Sequence, residues 1–185
     1  MRTTQPGQSA LLLLDAVVIF KKNHTDYAVI GAMAASFYGA VRASVDADAV
    51  FSVTAQSLKA LENEFKKAGF HVELRRGGPE DPIPALLALS DGFGNRVDLL
   101  TGIRGMDPTA FARAVETPFE GDRIRIIGLE DFIAMKVFAG SPKDLEDARQ
   151  TLTVSGSSLD HSLLQQVTRR YGKNALKILG TLIKS

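Results

Sequence analysis

VIGAMAASFYGAVRASVDADAVF, residues Val29 to Phe51, is the stretch whose reading decides the architecture. It opens at the end of a short apolar run, Ala28 to Ile30, which stops at Gly31. A small-residue segment of helix-like composition follows from Ala32 to Ala40, with Gly39 near its close. The chain then passes Arg42 and enters Val45-Asp46-Ala47-Asp48-Ala49-Val50-Phe51. Read as a strand, this last piece puts alternate side chains on one face, so Asp46 and Asp48 point the same way. Like charges side by side on a strand repel, which makes a purely structural role a poor account of them. A divalent cation between them turns repulsion into attraction, and hard oxygen ligands suit Mg²⁺ or Mn²⁺. The plainer alternative is that Asp-x-Asp also occurs in turns and at solvated strand ends.

Downstream, Ala85 to Leu89 and Asn95 to Leu100 read as two strands joined by the turn Asp91-Gly92-Phe93-Gly94. The second holds Asp98 between apolar neighbours, in Arg96-Val97-Asp98-Leu99-Leu100. A carboxylate so placed either faces solvent on an edge strand or has a partner. Between the two acidic strands, Ser57 to Ala68 carries an apolar stripe at Leu58, Leu61 and Phe65 and stops at Gly69, which predicts a helix. Phe70 to Leu74 alternates as a strand, and Arg75 to Pro79 reads as a loop.

Upstream, Met1 to Ser9 has the look of a loose terminus and Leu11 to Phe20 of a buried helix, with Tyr27 to Ile30 a short strand. After the second acidic strand a short helix over Pro108 to Val115 and a strand over Arg123 to Ile127 are expected. The last third reads as helical. Leu129 to Ala139 is apolar over much of its circumference, with Lys136 set among Phe132 and Ile133. A lysine there either snorkels to water or meets an anion. Ser141-Pro142 starts the next helix, cap followed by proline at the first position. Within it, Ser141 to Asp144 has capping-box spacing and Lys143 to Asp147 the spacing of an i,i+4 pair. Further helices are expected from Asp160 to Tyr171 and from Asn174 to Ile183.

The order of a glycine turn at Gly31-Ala32, a helix-sized spacer and Asp46-Ala47-Asp48-Ala49 resembles the signature of the DNA polymerase β nucleotidyltransferase superfamily. With Arg42, Ser44, Asp46 and Asp48 at alternate positions, it is similar to the AbiEii/AbiGii toxin-like group. The resemblance runs from about Tyr27 to about Leu152. It implies that Asp98 is the third metal-binding carboxylate and that Asp46, Asp48 and Asp98 are the catalytic set. It implies that Lys136 meets nucleotide phosphates, and it matches Lys143, Asp144 and Asp147 to the group's Lys-Asp-x-x-Asp motif. Gly31, Ala32 and Arg42 fall where the family binds phosphates. In the family the second residue of the turn is often a serine. Ala32 offers only its backbone N–H, which suits an anion at a helix start. The implied partners are an NTP, an RNA, protein or small-molecule acceptor, and a cognate antitoxin.

Composition bounds the rest. With 185 residues, 45% apolar and 23% charged, the chain is an ordinary globular one, large enough for a real core. A net charge of +1 argues against a broad nucleic-acid surface. The absence of cysteine excludes disulfides and thiolate zinc sites and is compatible with the cytoplasm, the expected location. His24, His71 and His161 are dispersed without ligand-like spacing. The apolar run Ala10 to Phe20 is too short to span a bilayer, so no membrane role is expected. Strands and helices mix without strict alternation, predicting an α/β fold of the α+β type with a mixed sheet. Residues 1–128 would form its nucleotidyltransferase-like core and residues 129–185 a helical part packed on it. The expected function is metal-dependent NMP transfer. The alternative is a catalytically silent module of the same fold that binds a nucleotide or partner. A phosphodiesterase fits less well, because no histidine accompanies the carboxylates.

Overall fold

A computed structural model describes residues 1–184, the side chains of residues 55 and 56 excepted. The chain runs α1 (Ser9–Lys22), β1 (Tyr27–Val29), α2 (Gly31–Phe37), β2 (Asp46–Phe51), α3 (Ala55–Lys67), β3 (His71–Arg76), β4 (Ala85–Ser90) and β5 (Arg96–Thr101). A single 3-10 turn at Pro108–Phe111 leads to β6 (Val115–Phe119) and β7 (Asp122–Ile126). Then come α4 (Leu129–Ala139), α5 (Pro142–Ser155), α6 (His161–Arg170) and α7 (Lys173–Leu182). Among the described residues the strands form one seven-stranded sheet in the order β3-β4-β5-β2-β1-β7-β6. The β2–β5 and β1–β7 pairs are parallel and the others antiparallel, so the sheet is mixed, as the irregular order of strand and helix signals predicts.

The two faces of the sheet have different tasks. Ala47, Ala49 and Phe51 on β2 are buried, as are Val97 and Leu99 on β5. They face α1 and α3, where the ring of Phe20 lies against Tyr27, Phe51 and Phe65 at centroid distances of 5.3, 5.5 and 5.8 Å. Each of these aromatic side chains contributes about 1.5–3 kcal/mol by leaving water. The first residue of α1 fixes the strands beneath it. Ser9 Oγ donates to the Val45 carbonyl at 2.6 Å and accepts from the Arg96 N–H at 3.0 Å. The starts of β2 and β5 are thereby aligned, and the ladder runs Asp46 opposite Arg96 and Asp48 opposite Asp98.

Helix α4 is wrapped by the other C-terminal helices, with Phe132, Ile133, Ala134 and Val137 almost wholly buried. That is why its sequence shows apolar residues nearly all round. Tyr38, at the end of α2, joins α4 to the sheet: its ring lies 5.7 Å from Phe132 and its hydroxyl donates to the Ile127 carbonyl at 2.6 Å. One continuous buried cluster extends from α1 through the sheet to Leu179 on α7.

Three expectations are corrected. The segment before Ser9 is tied down, not loose. Gln8 N–H donates to Asn95 Oδ1 at 2.6 Å, Asn95 Nδ2 donates to the Gln5 carbonyl, and Asn95 is only 1% exposed. The end of the polar β4–β5 turn is the anchor. Arg75 and Arg76 extend β3 rather than starting a loop, because β4 offers partners as far as Ala85. The helix expected over Pro108 to Val115 is only one 3-10 turn, and Val115–Phe119 is a strand paired with β7. Its Pro118 is tolerated because β6 is at the sheet edge.

Candidate active site

Register puts the acidic residues together. Asp46 and Asp48 on β2 and Arg96 and Asp98 on β5 project from the face opposite α1. The end of β1 closes on this face, where the Ile30 N–H donates to the Asp48 carbonyl at 2.9 Å. The next residue, Gly31, has φ of +62°, and a Cβ there would lie 2.0 Å from Asp48 Oδ2. Glycine is therefore required twice, by the left-handed backbone and by the approach of the carboxylate. Burial pushes Asp48 up to about 6, with Asp46 and Asp98 pushing the same way and Lys136 and Arg42 opposing.

The three carboxylates share a face but not a common focus. Asp98 is held by Arg96, whose Nε and Nη2 reach its two oxygens at 2.8 and 2.9 Å. Asp46 Oδ1 accepts from Ser44 Oγ at 2.8 Å. Among the described residues no three His, Cys, Asp or Glu side chains converge as a metal cage. The donor set nonetheless fits a hard divalent cation: three carboxylates on adjacent strands, with Asp48 raised first by burial and then by its acidic neighbours. Of the two readings left open for Asp98, the exposed edge strand is ruled out, since β5 is an interior strand and Asp98 is half-buried. Its partner, Arg96, lies two residues away on the same face. The sequence reading passed over Arg96, although i,i+2 spacing on a strand was the signal.

A second cluster sits on α4 and α5. Lys136 is 8% exposed and does not snorkel. Its Nζ lies 2.8 Å from Asp144 Oδ1 and 2.8 Å from Asp147 Oδ2, and 5.7 Å from the centroid of the Phe132 ring. Arg42 Nε reaches the same Asp147 oxygen at 3.1 Å. Asp147, 4% exposed, is thus shared by two cations. Asp144 is also tied to the cap of α5: Ser141, the capping residue, accepts from the Asp144 N–H through Oγ at 3.1 Å, and its hydroxyl donates back to Asp144 Oδ2 at 2.5 Å. Burial alone would raise Asp144, but the hydrogen bonds from Lys136 and Ser141 outweigh it and hold the carboxyl below its usual range. Lys143 is exposed and, among the described residues, forms no ion pair. The i,i+4 pairing of Lys143 with Asp147 is therefore not made.

Gly31, Arg42, Asp48, Lys136 and Asp144 line a cavity of about 420 Å³, and the rest of its lining is apolar. Ala32, Ser44 and Asp46 line a neighbouring groove of about 470 Å³, and Arg42 borders both. Asp98 and Lys143 line neither. The arrangement offers cations and a glycine turn to an anionic group next to a carboxylate of unusual proton affinity. It also offers an uncharged wall to whatever carries that group.

Searches with family models find no match to this chain. No curated protein matches it either. Solved structures of similar shape do exist. The antibiotic-resistance factor ANT(2")-Ia, solved with adenylyl-2"-tobramycin, superposes with a TM-score of 0.61 at 16% identity, over 87% of this chain and 95% of that one. A nucleotidyltransferase-like protein from Paracoccidioides brasiliensis gives 0.56 at 16% identity, over 98% and 90%. The lincosamide adenylyltransferase LnuA, bound to lincomycin, gives 0.51 at 13% identity, over 82% and 99%. At these identities the likeness establishes a shared fold: a mixed sheet with helices, of nucleotidyltransferase type.

Proposed function

We propose that this chain is a metal-dependent nucleotidyltransferase, moving an NMP from an NTP to an acceptor hydroxyl. The observation that carries the reading is the cavity in which the Gly31 turn, Asp48 and Lys136 meet, with Asp98 beside Asp48 on the adjacent strand. In the reaction the acceptor oxygen bonds to the α-phosphorus, the bond to the pyrophosphate oxygen breaks, and the hydroxyl proton leaves to a base. Asp46, Asp48 and Asp98 would hold Mg²⁺ or Mn²⁺. When bound, the metal supplies positive charge at the phosphate and makes the hydroxyl more acidic. The protein's own contribution is positioning and charge complementarity. The backbone at Gly31-Ala32 approaches the phosphates, and Lys136 and Arg42 neutralise them. Asp98, turned from Arg96, accepts the hydroxyl proton. Asp144 and Asp147 set the position of Lys136, and Lys143 extends the charged rim.

Residues 1–128 would carry the chemistry, and residues 129–185 would close the cavity over it. The adenylylated tobramycin and the lincomycin seen in two structures of similar shape support a small-molecule acceptor. The sequence resemblance to the toxin-like group supports an RNA or protein acceptor and a cognate antitoxin. The silent-module reading is favoured by one observation, the double hydrogen bond by which Arg96 occupies Asp98.

The test is incubation with α-labelled NTPs, Mg²⁺ or Mn²⁺ and candidate acceptors. Label transfer should fall by about 10²-fold or more in Asp48→Ala, the scale expected when a group that stabilises the transition state is removed. A variant that transfers label at the parent rate defeats the proposal. Nucleotide binding with no transfer to RNA, protein or small molecules supports the silent module.

A further inference from the structure

We infer that the cavity beside Asp48 grips a nucleobase by its faces without reading its edge, so that ATP and GTP bind alike. The inference rests on the reading of that cavity as the nucleotide site. Besides its polar groups, the cavity has an apolar lining built from Pro82 and Ile83 of the β3–β4 connection, Leu100 and Ile103 at the end of β5, and Met135 and Phe138 of α4, which together form its apolar wall. None of these side chains carries an N–H or O–H, and the Met135 thioether is only a weak acceptor.

Several backbone groups nearby are committed too. Pro82 has no N–H. Its carbonyl accepts the Arg104 N–H at 2.9 Å. The Ile83 N–H donates to Asp81 Oδ1 at 2.8 Å. Met135 and Phe138 lie inside α4, where backbone N–H groups bond along the helix. The hydrogen-bonding side chains of the cavity, Arg42, Asp48, Lys136 and Asp144, are grouped with one another and with the Gly31 turn.

Adenine and guanine have the same two-ring size and differ in the donors and acceptors along one edge. Sites that hydrogen-bond a ligand group reject analogues lacking it by large factors, whereas apolar walls discriminate mainly by size. This wall therefore separates two-ring from one-ring bases through buried area, and leaves ATP and GTP equal.

The experiment is calorimetric titration of the full chain with ATP and with GTP in magnesium chloride. The two dissociation constants should agree within about threefold, and Ile83→Ala should weaken both by the same factor, about tenfold for the three half-buried carbons removed. Ile83 is half-buried in a connection, so the variant should keep the parent circular dichroism spectrum. A tenfold preference for either nucleotide overturns the inference while leaving the nucleotide site intact. So does an Ile83→Ala variant that binds both with unchanged affinity. Failure of both nucleotides to bind the parent chain overturns the nucleotide site itself and this inference with it.

Discussion

Asp48 works against the fold it belongs to. Its carboxyl, raised to about 6 in the folded chain, is ionised at neutral pH in a place that disfavours charge. The sign follows from proton binding. Between its ordinary value near 4 and the folded value near 6, the native state holds the proton more tightly than the unfolded chain does. Stability from this residue is thus complete below the lower value and lost as pH rises through the upper one. Asp48→Asn should therefore stabilise the protein at pH 7 by on the order of 2 kcal/mol, and the gain should vanish near pH 4. Urea melts of parent and variant at the two pH values measure this, and equal stability at pH 7 would show that Asp48 carries no such strain. The pair Asp46 and Asp48 was legible because strand periodicity assigns them to one face without any structure, whereas Asp98 was joined to them only by the family resemblance. The grip of Arg96 on Asp98 was less legible, since alternation names neighbours on a face but not which of them pair.

At the scale of elements, α4 and α5 are joined through buried charge. Asp147 balances both Lys136 and Arg42. Removing one member of such a pair strands the others, at a cost of about 3–5 kcal/mol. Asp147→Ala should lose an amount of that size in denaturant unfolding, whereas Lys143→Ala, exposed and without an ion pair among the described residues, should stay within about 0.5 kcal/mol of the parent. Comparable losses in both variants would refute the separation of their roles. From sequence, the Lys136 helix and the Ser141 cap could be placed because apolar periodicity and capping chemistry are local. The partners of Asp147 could not, because Arg42 lies 105 residues away and no local rule links them. Strand β6 was missed for a related reason: Pro118 argues against a strand until the strand is known to be at the edge.

For the whole molecule, the buried cluster runs without interruption from α1 to α7. We propose that the division of the chain at residue 128 is one of role rather than of stability. Fluorescence of a tryptophan introduced at Phe93, on the exposed β4–β5 turn, and helical ellipticity should give coincident urea transitions. Two separated transitions would mark residues 129–185 as an independently folding unit. The mixed character of the sheet followed from the sequence, because strand and helix signals do not alternate. Strand order did not, since it depends on which distant segments find each other.

The parallel pairing of β2 with β5 also governs when the site comes into being. Asp48 and Asp98 become neighbours only after the intervening 49 residues are complete, and Lys136 is added later still. Non-local parallel pairing of this kind is slow, and on the ribosome it waits for the downstream strand to emerge. The nascent polypeptide therefore carries these acidic residues apart from one another, and the cluster assembles only after the segment bearing Lys136 has emerged.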